Sequence, residues 1–267
     1  MQTTPASSYL FVPGTRPDRY AKAFGSGADA VILDLEDAVA PQDKQSARDS
    51  VSQHLAALPP ALVRINGIET EWFRDDLQMC RTAGAAGIVL PKAEQAGDIE
   101  FIVKQLGGHI PLLPLIESAK GMWNAYAIAQ CGGVERLMFG SIDFQLDMGI
   151  PDDGEALLHY RSELVLVSRV AGIQSPVDGV TASLQDLAAL RADTLRAKSL
   201  GFGAKLCIHP RQIATVNDTF RPSEQEIQWA KRIVEAAASA HGAALAIDGK
   251  MVDKPVLLCA QAILARA

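Results

Sequence analysis

The sequence predicts an α/β fold, a (β/α)₈ barrel with a C-terminal helical extension. Three observations carry that expectation. Eight short apolar segments rich in Val, Ile and Leu run continuously rather than alternating, the pattern of parallel strands covered on both faces. Stretches long enough for a crossover helix separate them. No G-x-G-x-x-G follows any of them, which weakens the rival reading of a doubly wound sheet.

The elements follow in order. Strands are expected at Tyr9–Val12, Ala30–Leu35, Leu62–Ile65, Gly87–Leu90, Leu112–Ile116, Arg136–Phe139, Pro176–Val180 and Lys205–Ile208. Between them, Lys44–Leu58, Glu71–Gly84, Gly97–Leu106 and Ser183–Gly201 suit helices. Gly84, Gly107-Gly108, Gly132-Gly133 and Gly201 fall where helix C-caps belong. Beyond the eighth strand, RPSEQEIQWAKRIVEAAASA opens with Ser223 and, three residues on, Glu226, a capping box. AIDGKMVDKP then predicts a turn and Pro255–Ala265 a final short helix. The expected division is residues 1–220 for the barrel and 221–267 for an extension that caps its own barrel or docks on a neighbouring subunit.

Composition narrows the class. Over 267 residues, 48% are hydrophobic and 21% charged, as in globular proteins. The net charge of −6, with Lys and Arg scattered, argues against a dedicated nucleic-acid binder. No apolar run approaches the roughly 18 residues of a membrane span. The N-terminal MQTTPASSYLFVPG has neither a basic nor a long apolar region, so no signal peptide is expected. Cys80, Cys131, Cys207 and Cys259 lie far apart and read as reduced thiols, in keeping with a cytoplasmic protein.

The strand ends hold the polar residues. Read to its C-terminal edge, each segment gives Arg16, then Asp34, Glu36 and Asp37, then Arg64, Lys92, Glu117, Asp143, Asp178 and His209. In a barrel these edges converge on the face where active sites are built. Carboxylates crowded at the end of the apolar run AVIL are costly unless hydrogen-bonded, paired with cations or held near a metal. Glu117 in PLIESAKG and Asp143 in FGSIDF end successive strands, and two carboxylates completed by waters and a chelating substrate suit Mg²⁺. The alternative is a closed ring of ion pairs with Arg64 and Lys92. Zinc fits less well, because only one of five histidines falls at a strand end.

Other side chains suit other tasks. Arg64 in VRING suits a bidentate grip on a carboxylate. Arg16, Arg19 and Lys22 follow a Pro-Gly turn and could bind phosphate beside a helix start, although Arg19 and Lys22 equally suit a solvated helix face. Lys92 reads as an ion-pair partner rather than a Schiff-base lysine, and His209 as a structural imidazole. Neither a nucleophile elbow nor a P-loop is present.

Taken together, LFVPGTRP (10–17), ADAVILDLEDAVAPQDKQSAR (28–48), VRIN (63–66), LPKAE (90–94), IESAKG (116–121), GSIDF (140–144), CIHPRQ (207–212) and KMVDKP (250–255) resemble the citrate lyase beta subunit-like family of the HpcH/HpaI aldolases. That family includes citramalyl-CoA and malyl-CoA lyases. The resemblance implies a (β/α)₈ enzyme, trimeric or hexameric, that uses Mg²⁺ to cleave or form a C–C bond beside a coenzyme A thioester. Its partners would be an acyl-CoA and a 2-keto acid. On matching positions, Glu117 and Asp143 would bind the metal, and Glu36 and Asp37 would hold its waters. Arg64, with the backbone of Gly140, Ser141 and Ile142, would grip the keto acid. Arg16 and Lys22 would line the coenzyme A path, and Asp253 would be the acid/base, reaching in from an adjacent subunit. A malyl-CoA-type thioesterase and an aldolase acting without coenzyme A are the alternatives. Two departures fall on the acyl side: Ser7-Ser8 replaces an expected Arg, and TASLQDLAAL lacks the acidic pattern expected after VDGV.

Overall fold

The computed structural model describes residues 5–239, 245–247 and 250–267. It falls into two compact units, one ending at Asn217 and one beginning at Asp218, where the sequence placed the boundary at 220/221. Residues 1–4 of the expected barrel span lie outside the described residues.

In the first unit, β1 (Ser8–Pro13), α1 (Tyr20–Phe24), β2 (Ala30–Asp34), α2 (Lys44–Leu55), β3 (Leu62–Arg64) and α3 (Phe73–Ala83) alternate. There follow β4 (Gly87–Leu90), α4 (Ala96–Gln105), β5 (Leu112–Ile116), α5 (Ala119–Trp123) and α6 (Ala125–Ala129). β6 (Arg136–Phe139), α7 (Ser141–Met148), α8 (Leu158–Ala171), β7 (Gln174–Asp178), α9 (Leu187–Leu200) and β8 (Ala204–Cys207) complete the alternation. The eight strands pair in sequence order into a closed parallel barrel, β8 returning to β1. The fold class read from the sequence is therefore the one observed.

Alternation along each strand decides what faces the barrel interior. Tyr9, Ile32, Val89, Leu113, Leu115, Met138, Val177, Ala204 and Leu206 form one buried cluster. Two positions past Ile32 stands Asp34, and two past Leu115 stands Glu117; Arg64 follows Leu62, which packs on the same cluster. At the other end, the buried Arg136 donates to Ala6 O at 2.7 Å and to Tyr9 Oη at 3.1 Å, filling the N-terminal opening.

Three local expectations need correction. β7 begins at Gln174 rather than Pro176, because a register irregularity against β6 lets Gln174 pair with Arg136 although Pro176 has no N–H to give. Gly132-Gly133 caps no helix, since α6 closes at Gln130, whereas Gly84 and Gly201 do cap α3 and α9 with left-handed φ of 80° and 101°. GSIDF does not end a strand. It opens α7 directly after β6, which places Asp143 on the first helical turn rather than at a strand end.

After α10 (Ile213–Phe220), the second unit pairs α11 (Glu224–Ser239) with α12 (Lys254–Leu264) around Ala230, Ile233, Val252 and Ala260. The capping box forms as read: Glu226 N donates to Ser223 Oγ at 3.2 Å, and Ser223 N to Glu226 Oε2 at 2.7 Å. The expected turn AIDGKMVDKP is instead an antiparallel pair, β9 (Leu245–Ile247) with β10 (Lys250–Val252); residues 248–249 within it lie outside the described residues. Asp253 caps α12, its carboxylate accepting from Val256 N at 3.3 Å. Among the described residues, no helix is long and apolar enough to cross a membrane.

Candidate active site

At the C-terminal mouth of the barrel lies a cavity of about 370 Å³ lined by Asp34, Asp37, Arg64, Glu117 and Asp143 together with Gly140, Ser141 and Ile142. β2 supplies its first member. Asp34 receives Arg64 Nε at 2.7 Å and Nη2 at 2.6 Å, a two-point pairing in which both side chains are buried. The same carboxylate accepts from Glu36 N at 2.9 Å and Ala38 N at 3.3 Å, so it also shapes the DLED loop. From behind that loop, buried Lys44 donates to Leu35 O at 2.8 Å and Glu36 O at 2.7 Å. Neither role of Asp34 nor that of Lys44 was read from the sequence. Asp34's in-phase spacing from Ile32 was the available signal.

The basic residues spend themselves on the acids that follow β2. Arg64 Nη1 meets Glu36 at 3.0 Å and Asp37 at 3.4 Å, and Lys92 Nζ meets Glu36 at 2.7 Å. Arg64 lies over the Phe11 ring, 4.7 Å from its centroid. Burial alone would lower the Arg64 pKa, but Asp34, Glu36 and Asp37 raise it, so the side chain stays charged. The same balance, burial against Glu36, raises that of Lys92 and disfavours the neutral amine a Schiff base needs.

Glu117 and Asp143 receive no such partner. Glu117 is buried, and its one hydrogen bond comes from Lys92 N to Oε1 at 2.7 Å. Lys92 makes it from a left-handed backbone with φ 48°, unfavourable for a side chain with a Cβ. Desolvation first, then Glu36 and Asp143 nearby, push the Glu117 carboxyl up to about 8, while Lys92 N and Arg64 oppose the rise. Beside Oε2 the space is kept open by Gly140, where a Cβ would stand 2.5 Å from that oxygen. Asp143 is exposed to the cavity, and its carboxylate makes no ion pair or hydrogen bond among the described residues. The closed ring of ion pairs therefore forms only in part.

This donor set suits a hard divalent ion. Among the described residues no cluster of three His, Cys, Asp or Glu could hold a metal on its own. Two unpaired carboxylates in an acidic mouth match the need of Mg²⁺ for few protein ligands and several from water or substrate. The segments that carry Glu117 and Asp143 are tied together. Asp147, one turn after Asp143 on α7, accepts from Ala119 N at 2.6 Å, and Glu94 accepts from Ser118 Oγ at 2.8 Å and pairs with Lys120 at 3.0 Å. These clamps were not legible in the sequence.

Other expected members lie elsewhere. Asp178 does not join the mouth. Out of phase with Val177, it is buried against Arg161 at 2.8 Å and Lys205 at 3.4 Å; burial opposes its ionisation, and these two cations overcome it and lower its pKa. His209 caps a short helical turn by accepting from Arg211 N at 3.1 Å, the structural role expected of it. A second cavity of about 280 Å³ is lined by Arg19, Lys22 and His209 and shares Phe11, Pro13 and Ile208 with the first. Arg16 lines neither and pairs on the surface with Asp18 at 2.7 Å.

Known proteins resemble this chain in sequence and fold. A (3S)-malyl-CoA thioesterase of Cereibacter sphaeroides is 36% identical, covering 100% of this chain and 96% of its own. A citrate lyase subunit beta-like protein of Deinococcus radiodurans is 35% identical, over 96% of this chain and 95% of its own. CitE of Mycobacterium tuberculosis, solved in complex with magnesium, acetoacetate and coenzyme A, superposes with a TM-score of 0.87 at 33% identity, covering 98% of both chains. The model of the HpcH/HpaI aldolase/citrate lyase family matches residues 7–210, a span that takes in nearly all of the barrel, and the chain belongs to that family.

Proposed function

We propose that the protein is a Mg²⁺-dependent carbon–carbon lyase that cleaves a 3-hydroxyacyl-CoA of the citryl, citramalyl or malyl class into a 2-keto acid and a shorter acyl-CoA. One observation carries the reading. Glu117 and Asp143 share a cavity whose one lining cation, Arg64, is already spent on other acids. They would hold the metal, with Glu36 and Asp37 accepting hydrogen bonds from its waters. When bound, Mg²⁺ supplies Lewis acidity to a chelating hydroxyl and carboxylate.

The chain's own groups do the rest. Arg64, fixed by Asp34, would orient the keto-acid carboxylate, joined by backbone N–H groups where Gly140, Ser141 and Ile142 open α7. As the C–C bond breaks, the substrate hydroxyl loses its proton to solvent and becomes the keto oxygen, the bonding pair stays on the thioester α-carbon, and Asp253 of a neighbouring copy, in its acid form, would deliver a proton there. One Asp253 oxygen caps α12, leaving the other for that exchange. Arg16 and Lys22 would lie along the coenzyme A path, Lys22 from the second cavity. Trimers or hexamers would bring the tail carboxylate to each mouth, and the cytoplasm would supply the coenzyme A esters.

The test is keto-acid release from citryl-, citramalyl- and malyl-CoA with and without Mg²⁺, for wild type, Glu117→Gln and Asp143→Asn. Metal-dependent release by wild type and its loss in both variants are expected; wild-type turnover in either variant would remove the metal assignment. The 36% identical thioesterase favours a second reading, hydrolysis of the thioester. A free thiol appearing with the carbon skeleton intact would select it.

A further inference from the structure

Resting on that reading, we infer that Lys44 is a positioning residue of the metal site. From behind the mouth it fixes the peptide that aims Glu36 and Asp37, and so sets Mg²⁺ affinity without touching the ion. Lys44 opens α2 and is only 6% exposed. Both placements are unfavourable for a lysine. A cation in the first turn of a helix meets the positive end of the macrodipole. Burial lowers the pKa of the ammonium, against the pull of Glu36, Asp34, Asp76 and Asp37. Among the described residues it makes no ion pair, and its hydrogen bonds go to carbonyls alone.

Those bonds reach Leu35 O at 2.8 Å and Glu36 O at 2.7 Å. Asp34 holds the other edge of the same loop, accepting from Glu36 N at 2.9 Å and Ala38 N at 3.3 Å. The peptide joining Leu35 to Glu36 is thus gripped at its carbonyl by Lys44 and at its N–H by Asp34. The lysine is itself anchored. It lies 5.3 Å from the Trp72 ring centroid, and one turn along α2 Arg48 binds Asp76 of α3 at 2.6 Å. Asp76 also accepts from Asn66 N at 3.0 Å and from its Nδ2 at 2.6 Å, two residues past Arg64. One platform behind the mouth therefore supports both the DLED loop and the end of β3.

Charge and positioning predict opposite signs. Mg²⁺ is doubly positive, so deleting a nearby cation would tighten its binding if Coulomb attraction alone decided. Losing the loop's anchor loosens it, because groups that orient a metal's ligands and waters carry much of its affinity. The test is calorimetric titration of Mg²⁺ into the full-length wild type and Lys44→Met, which keeps the side chain's bulk and removes its donors. At least about tenfold weaker binding by Lys44→Met is expected. A smaller loss, or tighter binding, would overturn the inference while leaving the lyase reading standing. A wild type that binds no Mg²⁺ would remove that reading and the inference together.

A double-mutant cycle separates positioning from general damage. In a Glu36→Gln, Asp37→Asn background, adding Lys44→Met should weaken Mg²⁺ less than about threefold, because the acids it aims are gone. A larger further loss there would show that Lys44 acts by another route. Lys44→Gln covers a Met variant that fails to fold. Its amide can still donate to one carbonyl, so an intermediate loss of about three- to fivefold is expected. Unchanged Mg²⁺ binding by Lys44→Gln would equally overturn the inference.

Discussion

Asp34→Asn separates two views of the arginine at the mouth. If Asp34 is the scaffold that aims Arg64, neutralising it must cost both stability and keto-acid binding. If it only occupies Arg64 until substrate arrives, neutralising it must improve binding. The magnitude follows from the geometry. Asp34 makes two charge-assisted hydrogen bonds to Arg64, at 2.7 and 2.6 Å, each worth about 1.5–3 kcal/mol net. An asparagine oxygen can still accept one of them, while its amide N–H₂ turns toward the guanidinium. Arg64 retains Glu36 and Asp37, so a loss of about 2–3 kcal/mol is expected rather than the larger cost of a wholly orphaned buried charge. For a barrel of this size that lowers Tm by about 4–12 °C. Pyruvate affinity in the presence of Mg²⁺ should fall at least about tenfold, because an unaimed guanidinium loses its preorganisation. A cycle with Arg64→Met, read by urea denaturation and calorimetry, isolates the pair, and a coupling of about 1.5 kcal/mol or more is expected. Tighter pyruvate binding by Asp34→Asn, or a coupling near zero, refutes the scaffold role.

Three further outcomes can be checked alongside. Gly140→Ala puts a Cβ 2.5 Å from Glu117 Oε2 and 2.6 Å from its Cβ, so Mg²⁺ affinity by calorimetry should fall at least about tenfold. Asp147→Ala frees Ala119 N from its 2.6 Å acceptor and should weaken Mg²⁺ about three- to tenfold, with Asp147→Asn restoring most of the loss. Asp178→Asn leaves buried Lys205 without a carboxylate and Arg161 with Asp153 alone, at 2.7 Å, and should destabilise the barrel by about 3 kcal/mol at pH 7, the lower end of the cost of breaking a buried pair. The sign of its pH dependence is fixed. The folded Asp178 pKa lies below the unfolded one, so its contribution is full above the ordinary carboxylate range near pH 4 and fades as pH falls through and below it. Wild type and variant should converge in urea titrations toward pH 3, and a constant gap would show that Asp178 is not the group being titrated.

Much of this was legible because a barrel reads one strand at a time. Continuous apolar runs gave the eight strands, and a capping box gave the start of α11. Where reading failed, the information was not local. The strand at Gln174 depends on pairing with Arg136, which lies on the preceding strand beyond two intervening helices and is brought alongside only by the fold. The hairpin of β9 and β10 lacks an alternating pattern strong enough to announce it. Lys92 shows nothing in its sequence neighbourhood of the left-handed backbone that aims its N–H at Glu117.

The division of the ionisable residues into chemical and structural ones rests on strand phase. Listing polar residues at strand ends put Asp34, Arg64, Glu117 and Asp178 in one ring. Counting from the core residues separates them, because side chains alternate across a strand. Asp34 is two positions from Ile32, Arg64 two from Leu62 and Glu117 two from Leu115, so all three rise from the packed interior into the mouth. Asp178 is one position from Val177, and Lys205 one from Ala204, so both turn outward, where Asp178 pairs with Lys205 and with Arg161 of α8. One residue of phase thus assigns one acid to the site and another to the scaffold. It also explains the charge pattern that favours a metal. The outward set balances itself once Asp153, 2.7 Å from Arg161, is counted, whereas the inward set holds more acids than its cations can neutralise, and the surplus falls on Glu117 and Asp143.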